Sequence, residues 1–443
     1  MKNFGDVPEE SRKFLKISVV GLGKIGLPLA VQYASKGHFV TGVDINEETV
    51  ALVNEGKEPF PGEAGLQELL SAVVFDGRLV ATIDTAEAVA DSDVIVIVVP
   101  LFVDSDSQPD FGWMDEATRS VGSGLGSGSM VIYETTLPIG TTRNRFGPML
   151  ADVSGLTPGD DFQLAFSPER VLTGRVFADL RKYPKLVGGI DSESERRAAW
   201  FYEQVLDFDD RPDLARKNGV WSMGSAEAAE MAKLAETTYR DVNIGLANQF
   251  AKYSDAIGAD VFSIIEACNS QPFSHLHQPG ISVGGHCIPV YPRLYLYNDP
   301  DATIVKAARE VNSSMPSYAV ERLESLAGNL ENLKVAVFGI AYREGVKETA
   351  FSGAFPLVEE LIFRGAKVSV DDPLYSDDEI AELGLEAHHR SMTVDAVVIH
   401  TAHEEYGHLT RNDFPGLKYL VDGRQIVDPE QFPDVAFLRI GQN

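Results

Sequence analysis

Cysteine is nearly missing from this sequence of 443 residues, which contains only Cys268 and Cys287. Two cysteines cannot build a disulfide framework, so we expect a reducing, cytoplasmic setting. Residues 1–15 lack the apolar stretch of a secretory signal. The apolar run from Val94 to Val99 is too short to cross a bilayer, so no membrane anchor is expected.

Basic residues are also scarce, because 38 lysines and arginines stand against 66 acidic residues, for a formal charge of −28 at pH 7. Such a surface repels nucleic acids and anionic lipids, which argues against both as partners. A phosphate-bearing ligand therefore needs a pocket that concentrates a few basic side chains. The balance fits either an ordinary acidic, soluble protein or an adaptation to high salt.

The first glycine-rich segment has the pattern of a dinucleotide-binding site. A predicted strand, 16–20, leads into Gly21-Leu22-Gly23-Lys24-Ile25-Gly26, a helix follows to about Lys36, and the next strand ends in Asp44. The glycines admit a pyrophosphate to the helix N-terminus, and the acid can accept hydrogen bonds from the ribose. Because a carboxylate repels a 2′-phosphate, we expect NAD, bound by residues 21–26 and Asp44.

Further predicted strands, at 93–100, 129–134 and 162–166, continue this α/β pattern. Thr136, Thr142 and Glu169 follow the carboxyl ends of two of them, where open α/β sheets bind their ligands. We expect Thr136 to contact cofactor or substrate. Thr142, or its neighbour Thr141, is expected to cap the next helix.

Residues 225–257 contain no proline and repeat apolar side chains at helical spacing, which predicts one long helix. Such a helix can bridge domains or subunits. Lys233, Thr237 and Arg240 share one of its faces. Two cations there mean little if the face is solvated, whereas near a ligand they form a clamp for phosphate and oxyanion. The spacing leaves both possibilities open.

A thiol in an unusual place lies further along, in the loop from Pro279 to Pro292. Gly284 and Gly285 precede Cys287 and let the backbone approach a bulky anion, while prolines stiffen the other side. On the loop alone, a nucleophile and a small buried hydrophobe are both open. Cys268, in a predicted helix, is expected to be core.

The last third repeats the strand, glycine loop, helix and strand order, with predicted strands at 333–341, 365–371 and 394–399. Its first loop lacks a complete glycine fingerprint and carries Arg343 and Lys347, which suggests a different nucleotide, held by charge. His400, His403, Glu404 and His408 lack the helical register of a zinc site, so no metal is expected.

Six motifs now occur in order: GLGKIGLPLA with Asp44, ETTLPIGTT, SPERVLTG, AEMAKLAETTYRDVN, GGHCIPV and GIAYREGVKET. Together they resemble the UDP-glucose/GDP-mannose dehydrogenase family over almost the whole chain. The resemblance implies an α/β fold with two Rossmann-like doubly wound domains joined by a long central helix. The implied domains are an NAD-binding domain, 1–220, a central helical dimerisation and catalytic-loop region, 221–318, and a UDP-binding domain, 319–443.

The resemblance also implies chemistry, namely NAD-dependent, four-electron oxidation of the C6 alcohol of a nucleotide sugar to a carboxylate by a homodimer. Cys287 attacks the intermediate aldehyde, giving a thiohemiacetal and then a thioester that water hydrolyses. Lys233 stabilises oxyanions, Glu169 serves proton transfer or water, and Thr136 helps to position them. Two sets of binding residues are implied: for NAD, Thr136 and Lys347, and for the UDP-sugar, Glu169, Arg170, Val171, Lys233, Thr237, Arg240, Gly284, Gly285, Tyr342, Arg343 and Arg424.

The GGHC form of the cysteine loop resembles the branch that acts on UDP-N-acetylhexosamines, with UDP-N-acetyl-D-mannosamine expected first and UDP-N-acetylglucosamine second. UDP-glucose, or a non-catalytic nucleotide-sugar-binding homologue, is the alternative. Three positions depart from the family pattern: Thr237 replaces an asparagine, Tyr291 an aspartate, and Gln271-Pro272-Phe273 the sequence HPR. A divergent substrate branch fits these changes better than an inactive enzyme, since Cys287, Lys233 and Glu169 all remain.

Overall fold

The apolar runs of the first half pair into one sheet in the computed structural model, which describes residues 14–104 and 106–442. β-Branched residues dominate these runs, and strands buried on both faces favour them. The strands are β1 Lys16–Val20, β2 Phe39–Val43, β3 Leu79–Thr82, β4 Val94–Ile97, β5 Phe102–Val103, β6 Pro109–Asp110, β7 Met130–Tyr133, β8 Gln163–Phe166, β9 Lys185–Gly189 and β10 Val220–Ser222.

The order of this sheet is β10-β9-β8-β7-β4-β1-β2-β3, and β5 pairs with β6 in a separate small hairpin. Six adjacent strands of the main sheet run parallel, in the spatial order β8-β7-β4-β1-β2-β3. This is the arrangement of a dinucleotide-binding fold. Strand β9 is antiparallel to β8, and β10 follows the direction of β9. The first residue of β9 therefore lies at the edge where β7 and β8 end.

Helices cover this sheet and begin at recognisable caps. Asn46, Asp84 and Asp191 each accept backbone N–H groups of the turn that follows them. The helices are α1 Gly26–Ser35, α2 Glu47–Asn54, α3 Leu66–Phe75, α4 Thr85–Ala90, α5 Gly112–Gly124, α6 Gly147–Ser154, α7 Val176–Lys182 and α8 Ser192–Val205, with a π-helical turn at Thr142–Phe146.

The predicted long helix is confirmed as α9, Ala226–Ile257. It is followed by α10 Val261–Asn269, α11 Tyr291–Asn298 and α12 Thr303–Ala327, the last with Pro316 inside it. Cys268 on α10 is only half-buried. The expectation of a core cysteine is wrong, because one side of this short helix faces solvent.

A second sheet, ordered β12-β11-β13-β14-β15, is parallel throughout. Its elements are β11 Lys334–Phe338, α13 Ala354–Phe363, β12 Lys367–Asp371, α14 Asp377–Glu382, β13 Ala396–Ile399, β14 Tyr419–Asp422 and β15 Ala436–Arg439. The α/β class with two Rossmann-like domains and a long central helix is confirmed.

The chain divides into two compact units, which meet in the sequence at Ala235 and Glu236. Each unit has its own buried apolar core around its own sheet. Over residues 14–104 and 106–442, no helix is both long and apolar enough to span a lipid bilayer.

Candidate active site

The glycine turn after β1 requires glycine at two of its three glycine positions. Gly21 has φ +97°, in the left-handed region, and a Cβ on Gly26 would lie 1.8 Å from the Gly21 carbonyl oxygen. A Cβ on Gly23, by contrast, would meet nothing within 4 Å. Gly21 and Gly26 thus shape the turn itself. The space beside Gly23 is open for a ligand that approaches the backbone.

Asp44 closes this turn from the end of β2. One carboxylate oxygen accepts the Leu22 N–H at 2.8 Å, and the other accepts the Asn46 N–H at 2.9 Å. The carboxylate is only partly buried, so its remaining lone pairs can receive ribose hydroxyls. Lys24 is exposed and Ile25 packs on the core. These residues fit NAD, which would supply hydride acceptance.

The loop after β7 carries Thr136, which is buried directly beyond the end of the strand. The same loop is held by Glu230 of α9, whose carboxylate accepts the Gly140 N–H at 2.5 Å and the Thr142 N–H and hydroxyl at 2.9 and 2.7 Å. Neither Thr141 nor Thr142 caps the following turn with its side chain. The predicted threonine cap is therefore wrong, and a carboxylate from α9 satisfies the N–H groups of this loop.

Burial raises the pKa of the Glu230 carboxyl to about 7, although its hydrogen bonds to Thr142 and Gly140 oppose the rise. The side chain is fully buried, and the groups that donate hydrogen bonds to it, the N–H groups of Gly140 and Thr142 and the Thr142 hydroxyl, are all neutral. The charge of Glu230 therefore changes near neutral pH.

A buried ionic network occupies the carboxyl edge of the first sheet. The Lys185 ammonium donates to Glu134 Oε2 and to Glu169 Oε2, both at 2.8 Å. The hydroxyls of Tyr202 and Tyr33 donate to Glu134 Oε1 at 2.6 and 3.1 Å. Glu169 is thus held in place by Lys185, which lies at this edge because β9 runs antiparallel to β8.

The two carboxylates of this network differ in their affinity for protons. Burial raises the pKa of Glu169, but the charge and hydrogen bond of Lys185, the Arg170 N–H and the charge of Lys233 together leave it below its ordinary value. Burial raises the pKa of Glu134, and attraction to Lys185 does not fully offset the rise. Glu169 is the member of the pair that stays ionised most readily.

Other predicted residues of the first unit lie around Glu169. Lys233 is buried on α9. A guanidinium nitrogen of Arg170 donates to the Pro184 carbonyl at 3.3 Å, beside Lys185. Val171 packs against the apolar core of this unit. The structure brings Glu169, Lys233 and Arg170 together in one region, whereas Val171 supports the loop from its apolar side.

In the second unit, Cys287 is half-buried in a turn that leads into α11, and its carbonyl accepts the Tyr291 N–H at 2.9 Å. Gly285 has φ +89°, and a Cβ on Gly284 or Gly285 would lie 2.6 or 3.0 Å from Tyr342. The paired glycines are therefore required by the Tyr342 side chain. Burial raises the pKa of Tyr342, with Glu348 and the adjacent Cys287 sulfur adding to the rise and Arg343 opposing it.

The cysteine loop is fixed to the end of β13 through Ser282. His400 Nδ1 lies 2.9 Å from the Gly339 carbonyl, which can only accept, so Nε2 accepts the Ser282 hydroxyl at 3.0 Å. Burial and the charge of Arg424 lower the pKa of His400 to about 3, which keeps it neutral. Arg424 itself donates to the carbonyls of His400 and Ser282 at 2.7 and 3.1 Å.

The beginning of the loop is tied to the α9 and α12 helices by buried amides. The Gly280 N–H donates to Asn248 Oδ1 at 2.9 Å, and the Asn248 amide donates to Asn312 Oδ1 at 2.9 Å. Asn312 in turn donates to the Asp241 carboxylate at 2.8 Å.

The end of the loop meets the same chain of hydrogen bonds from the other side. Arg309 donates to Asp241 Oδ1 at 2.7 Å and, more weakly, to the Ile288 carbonyl at 3.4 Å. Ile288 directly follows Cys287. The segment that carries the thiol is thus connected at both ends to one relay of buried polar groups.

Thr237 and Arg240 continue the predicted face of α9. Thr237 is fully buried. Over the described ranges, the buried Nε of Arg240 and Nε2 of His277 make no hydrogen bond. Burial and the charge of Arg240 lower the pKa of His277, which indicates that the two side chains are near each other. Arg240 therefore retains an unused donor for an anion.

The charged residues of the β11 loop are more exposed. The guanidinium carbon of Arg343 lies 5.9 Å from the centre of the Tyr342 ring. Lys347 forms an ion pair with Glu379 at 2.5 Å.

For residues 14–104 and 106–442, no group of three or more His, Cys, Asp or Glu side chains is arranged to hold a metal ion. His400 and His403 are instead bonded within the protein, the latter to Asp372 at 3.2 Å.

The sequence interpretation missed Lys185, Glu134, Glu230 and the amide relay. A lysine at the first position of a strand ordinarily faces solvent. The sequence of β9, KLVGG, therefore does not indicate that Lys185 is buried in the site. A signal did exist on α9, where Glu230, Lys233, Thr237, Asp241 and Asn248 recur at the spacing of its buried face. Polar residues at buried helical positions indicate hydrogen-bond partners.

Three segments of the chain match sequence models of the UDP-glucose/GDP-mannose dehydrogenase family: its NAD binding domain at 15–206, its central domain at 227–314 and its UDP binding domain at 336–429. The UDP-N-acetyl-D-mannosamine dehydrogenase of Pyrococcus horikoshii is 34% identical over 433 residues, which cover 96% of this chain and 98% of that protein.

Solved structures agree. The UDP-D-ManNAc dehydrogenase from Pyrococcus horikoshii matches with a TM-score of 0.84 at 32% identity, over 96% of this chain and 99% of that one. The NDP-N-acetyl-D-galactosaminuronic acid dehydrogenase from Methanosarcina mazei matches with a TM-score of 0.82 at 28% identity, over 98% and 97%. This chain belongs to the UDP-glucose/GDP-mannose dehydrogenase family of NAD-dependent nucleotide-sugar dehydrogenases.

Proposed function

We propose that this chain oxidises the C6 alcohol of UDP-N-acetyl-D-mannosamine to the carboxylate, consuming two NAD and one water per sugar. The observation that carries the proposal is the nearly full-length similarity, at 34% identity, to a relative named for that activity. The GGHC sequence at Gly284–Cys287 supports the same branch.

The first oxidation needs a base at the C6 hydroxyl and a cation for the developing oxyanion. We assign the proton transfer to Glu169, because its low pKa keeps it ionised, and the oxyanion contact to the buried Lys233. Thr136 helps to position them. NAD supplies the chemistry of both oxidations by accepting a hydride each time.

The second oxidation uses Cys287 as nucleophile. Its thiolate forms a C–S bond to the aldehyde carbon as the carbonyl oxygen becomes an oxyanion, and this thiohemiacetal oxyanion loses hydride to become a thioester. Water then breaks the C–S bond, which releases the carboxylate and restores the thiolate. The partial exposure of Cys287, and a loop held at both ends, support this role.

The remaining assignments follow from the family motifs. Lys347 stays a proposal for NAD, although its exposed ion pair with Glu379 lends it no support. Arg240 is supported by its unpaired buried donor. The other proposed UDP-sugar contacts are Arg170, Val171, Thr237, Gly284, Gly285, Tyr342, Arg343 and Arg424.

The substrate is tested by an NADH assay against UDP-N-acetyl-D-mannosamine, UDP-N-acetylglucosamine, UDP-N-acetylgalactosamine and UDP-glucose, with products identified by mass spectrometry. We expect two NADH per UDP-N-acetyl-D-mannosamine and a kcat/KM at least about tenfold above the other sugars. One NADH per sugar would indicate an ordinary two-electron dehydrogenase. Binding without NAD reduction would indicate a non-catalytic homologue. Either result contradicts the proposal.

The nucleophile is tested by Cys287→Ala, which removes the sulfur that holds the aldehyde. We expect uronate formation to be lost while the variant folds and binds UDP-sugar. Cys268→Ala is the matched control, because Cys268 is also half-buried and free but lies on α10. A Cys287→Ala enzyme that still produced uronate at the wild-type rate would remove the covalent mechanism.

We further propose a homodimer through α9. Tyr239, Leu246, Phe250, Tyr253 and Ile257 are all exposed on this helix. Their spacing puts them on one face, and a stripe of large apolar side chains of this kind marks a protein contact.

Free cysteines support a cytoplasmic location. The domain limits 1–220, 221–318 and 319–443 stay a prediction.

A further inference from the structure

Lys185 has no part in the reaction proposed above, yet it joins the two acidic groups at the carboxyl edge of the first sheet. We infer that Lys185 is a positioning residue that keeps Glu169 ionised and correctly oriented for proton transfer, with Glu134 as its fixed anchor. The inference rests on the proposed role of Glu169.

The topology explains why this lysine reaches the site. Strand β9 runs antiparallel to β8, with Phe166 paired to Gly188. Its first residue, Lys185, is therefore brought to the edge where Glu169 follows the end of β8. A parallel strand would have put its last residue there instead.

The geometry leaves Lys185 little choice of partner. Its side chain is 4% exposed, and its two carboxylate contacts are equal at 2.8 Å. Its ammonium also lies 4.7 Å from the centre of the Tyr202 ring. Glu169 receives a second fixed donor, the Arg170 N–H at 2.7 Å on its other oxygen. Both oxygens of Glu169 are thus oriented.

Several elements contribute charged or titratable groups that interact with this pair of carboxylates. These groups are Glu134 beyond β7, Lys185 of β9, Lys233 of α9, Tyr33 of α1 and Tyr202 of α8. The Lys185 ammonium and the hydroxyls of Tyr202 and Tyr33 all donate to Glu134, which fits its ionised form. The negative charges of Glu134 and Glu169 are then balanced by the positive charges of Lys185 and Lys233.

Two substitutions move the ionisation of Glu169 in opposite directions. Lys185→Met removes a contacting cation, and such a cation lowers a carboxyl pKa by about 1–3 units. We expect the acidic limb of the kcat profile to rise by about 1–3 pH units. Glu134→Gln removes the competing negative charge, so the same limb is expected to fall. KM for the sugar is expected to change less than kcat, because the buried Lys185 acts through its contact with Glu169.

A purely structural role would lower kcat without moving the acidic limb in these opposite directions. Lys182→Met is the matched control, since Lys182 is an exposed cation three residues away and its loss leaves the profile unchanged. If Lys185→Met does not fold, Glu134→Gln decides alone, and an acidic limb that stays in place overturns the inference.

The unfolding midpoint in urea separates this inference from the proposed function. Without Lys185 the ionised form of Glu169 is disfavoured in the folded protein, so the deficit of Lys185→Met should grow from pH 4 to pH 8. Wild-type enzyme inactive on every UDP-sugar would refute the proposed function, and this comparison would still be decisive. If the stability deficit of Lys185→Met is the same at every pH, Lys185 does not control the ionisation of Glu169, and the inference is wrong.

Discussion

At the scale of single residues, Gly23 and Gly26 are three positions apart in the same turn but have different surroundings. A Cβ on Gly26 would lie 1.8 Å from the Gly21 carbonyl oxygen, a backbone atom that cannot move aside cheaply, whereas one on Gly23 meets nothing. We expect Gly26→Ala to lower the free energy of unfolding by about 1–3 kcal/mol or more. Gly23→Ala should leave it unchanged in the absence of ligand.

The same pair tests the cofactor. If the open space beside Gly23 receives the pyrophosphate of NAD, the added methyl group of Gly23→Ala weakens NAD binding despite an intact fold. Calorimetric titration with NAD, beside urea unfolding without it, measures both effects. Unchanged NAD affinity in Gly23→Ala would mean that the cofactor does not approach this atom.

Residues whose chemistry shows in the local sequence were predictable, and those that depend on strand direction were not. Gly21, Gly26 and Asp44 form a recognisable spacing, and Cys287 stands out between glycines and proline. Lys185 becomes interesting only because β9 reverses direction, which no local pattern of KLVGG encodes. The partnership of Glu134 with Lys185 joins residues 51 positions apart.

At the scale of elements, Glu230 connects α9 with the loop after β7. Its folded-state pKa of about 7 exceeds that of an unfolded glutamate, so the folded protein binds this proton more tightly. The corresponding stability is present below about pH 4.5 and is lost as the pH rises through 7. Glutamine does not titrate. Relative to Glu230→Gln, the wild type should therefore lose roughly 3 kcal/mol of unfolding free energy between pH 4.5 and pH 8.

Glu227→Gln is the matched control for this experiment. It lies one turn earlier on α9, and its hydrogen bond with Arg143 lowers the pKa of its carboxyl. Its contribution therefore has the opposite sign and is lost as the pH falls. Urea midpoints at four or five pH values distinguish the two. A constant difference between wild type and Glu230→Gln would show that the Glu230 carboxyl does not titrate near neutrality.

Most elements were predictable because their apolar runs match the period of a strand or a helix. Strands β1, β4 and β13 and the helix α9 follow their predicted segments closely. The second glycine loop was less transparent: after β11 the chain takes 15 residues, 339–353, before α13 begins, whereas α1 starts within the fingerprint itself. The loop holds the cysteine segment through Tyr342, a long-range contact that sequence spacing cannot reveal.

At the scale of the whole molecule, the acidic surface and the α9 stripe place opposite demands on self-association. A formal charge of −28 makes two copies repel, and salt screens that repulsion. Burial of several large apolar side chains per subunit can outweigh it, at about 1.5–3 kcal/mol for each fully buried side chain. A dimer through α9 should therefore tighten as ionic strength increases.

The proposed dimer is tested by putting charge into this stripe. Leu246→Glu and Tyr253→Glu each force a carboxylate into an apolar contact, and we expect either to shift the mass measured by size-exclusion chromatography with light scattering from two chains to one. Phe363→Glu is the control, because Phe363 is 85% exposed at the end of α13 and lies off α9. Its mass should stay that of the wild type. If both α9 variants remain dimeric and folded, the subunits associate through another surface, and the exposed stripe requires a different partner.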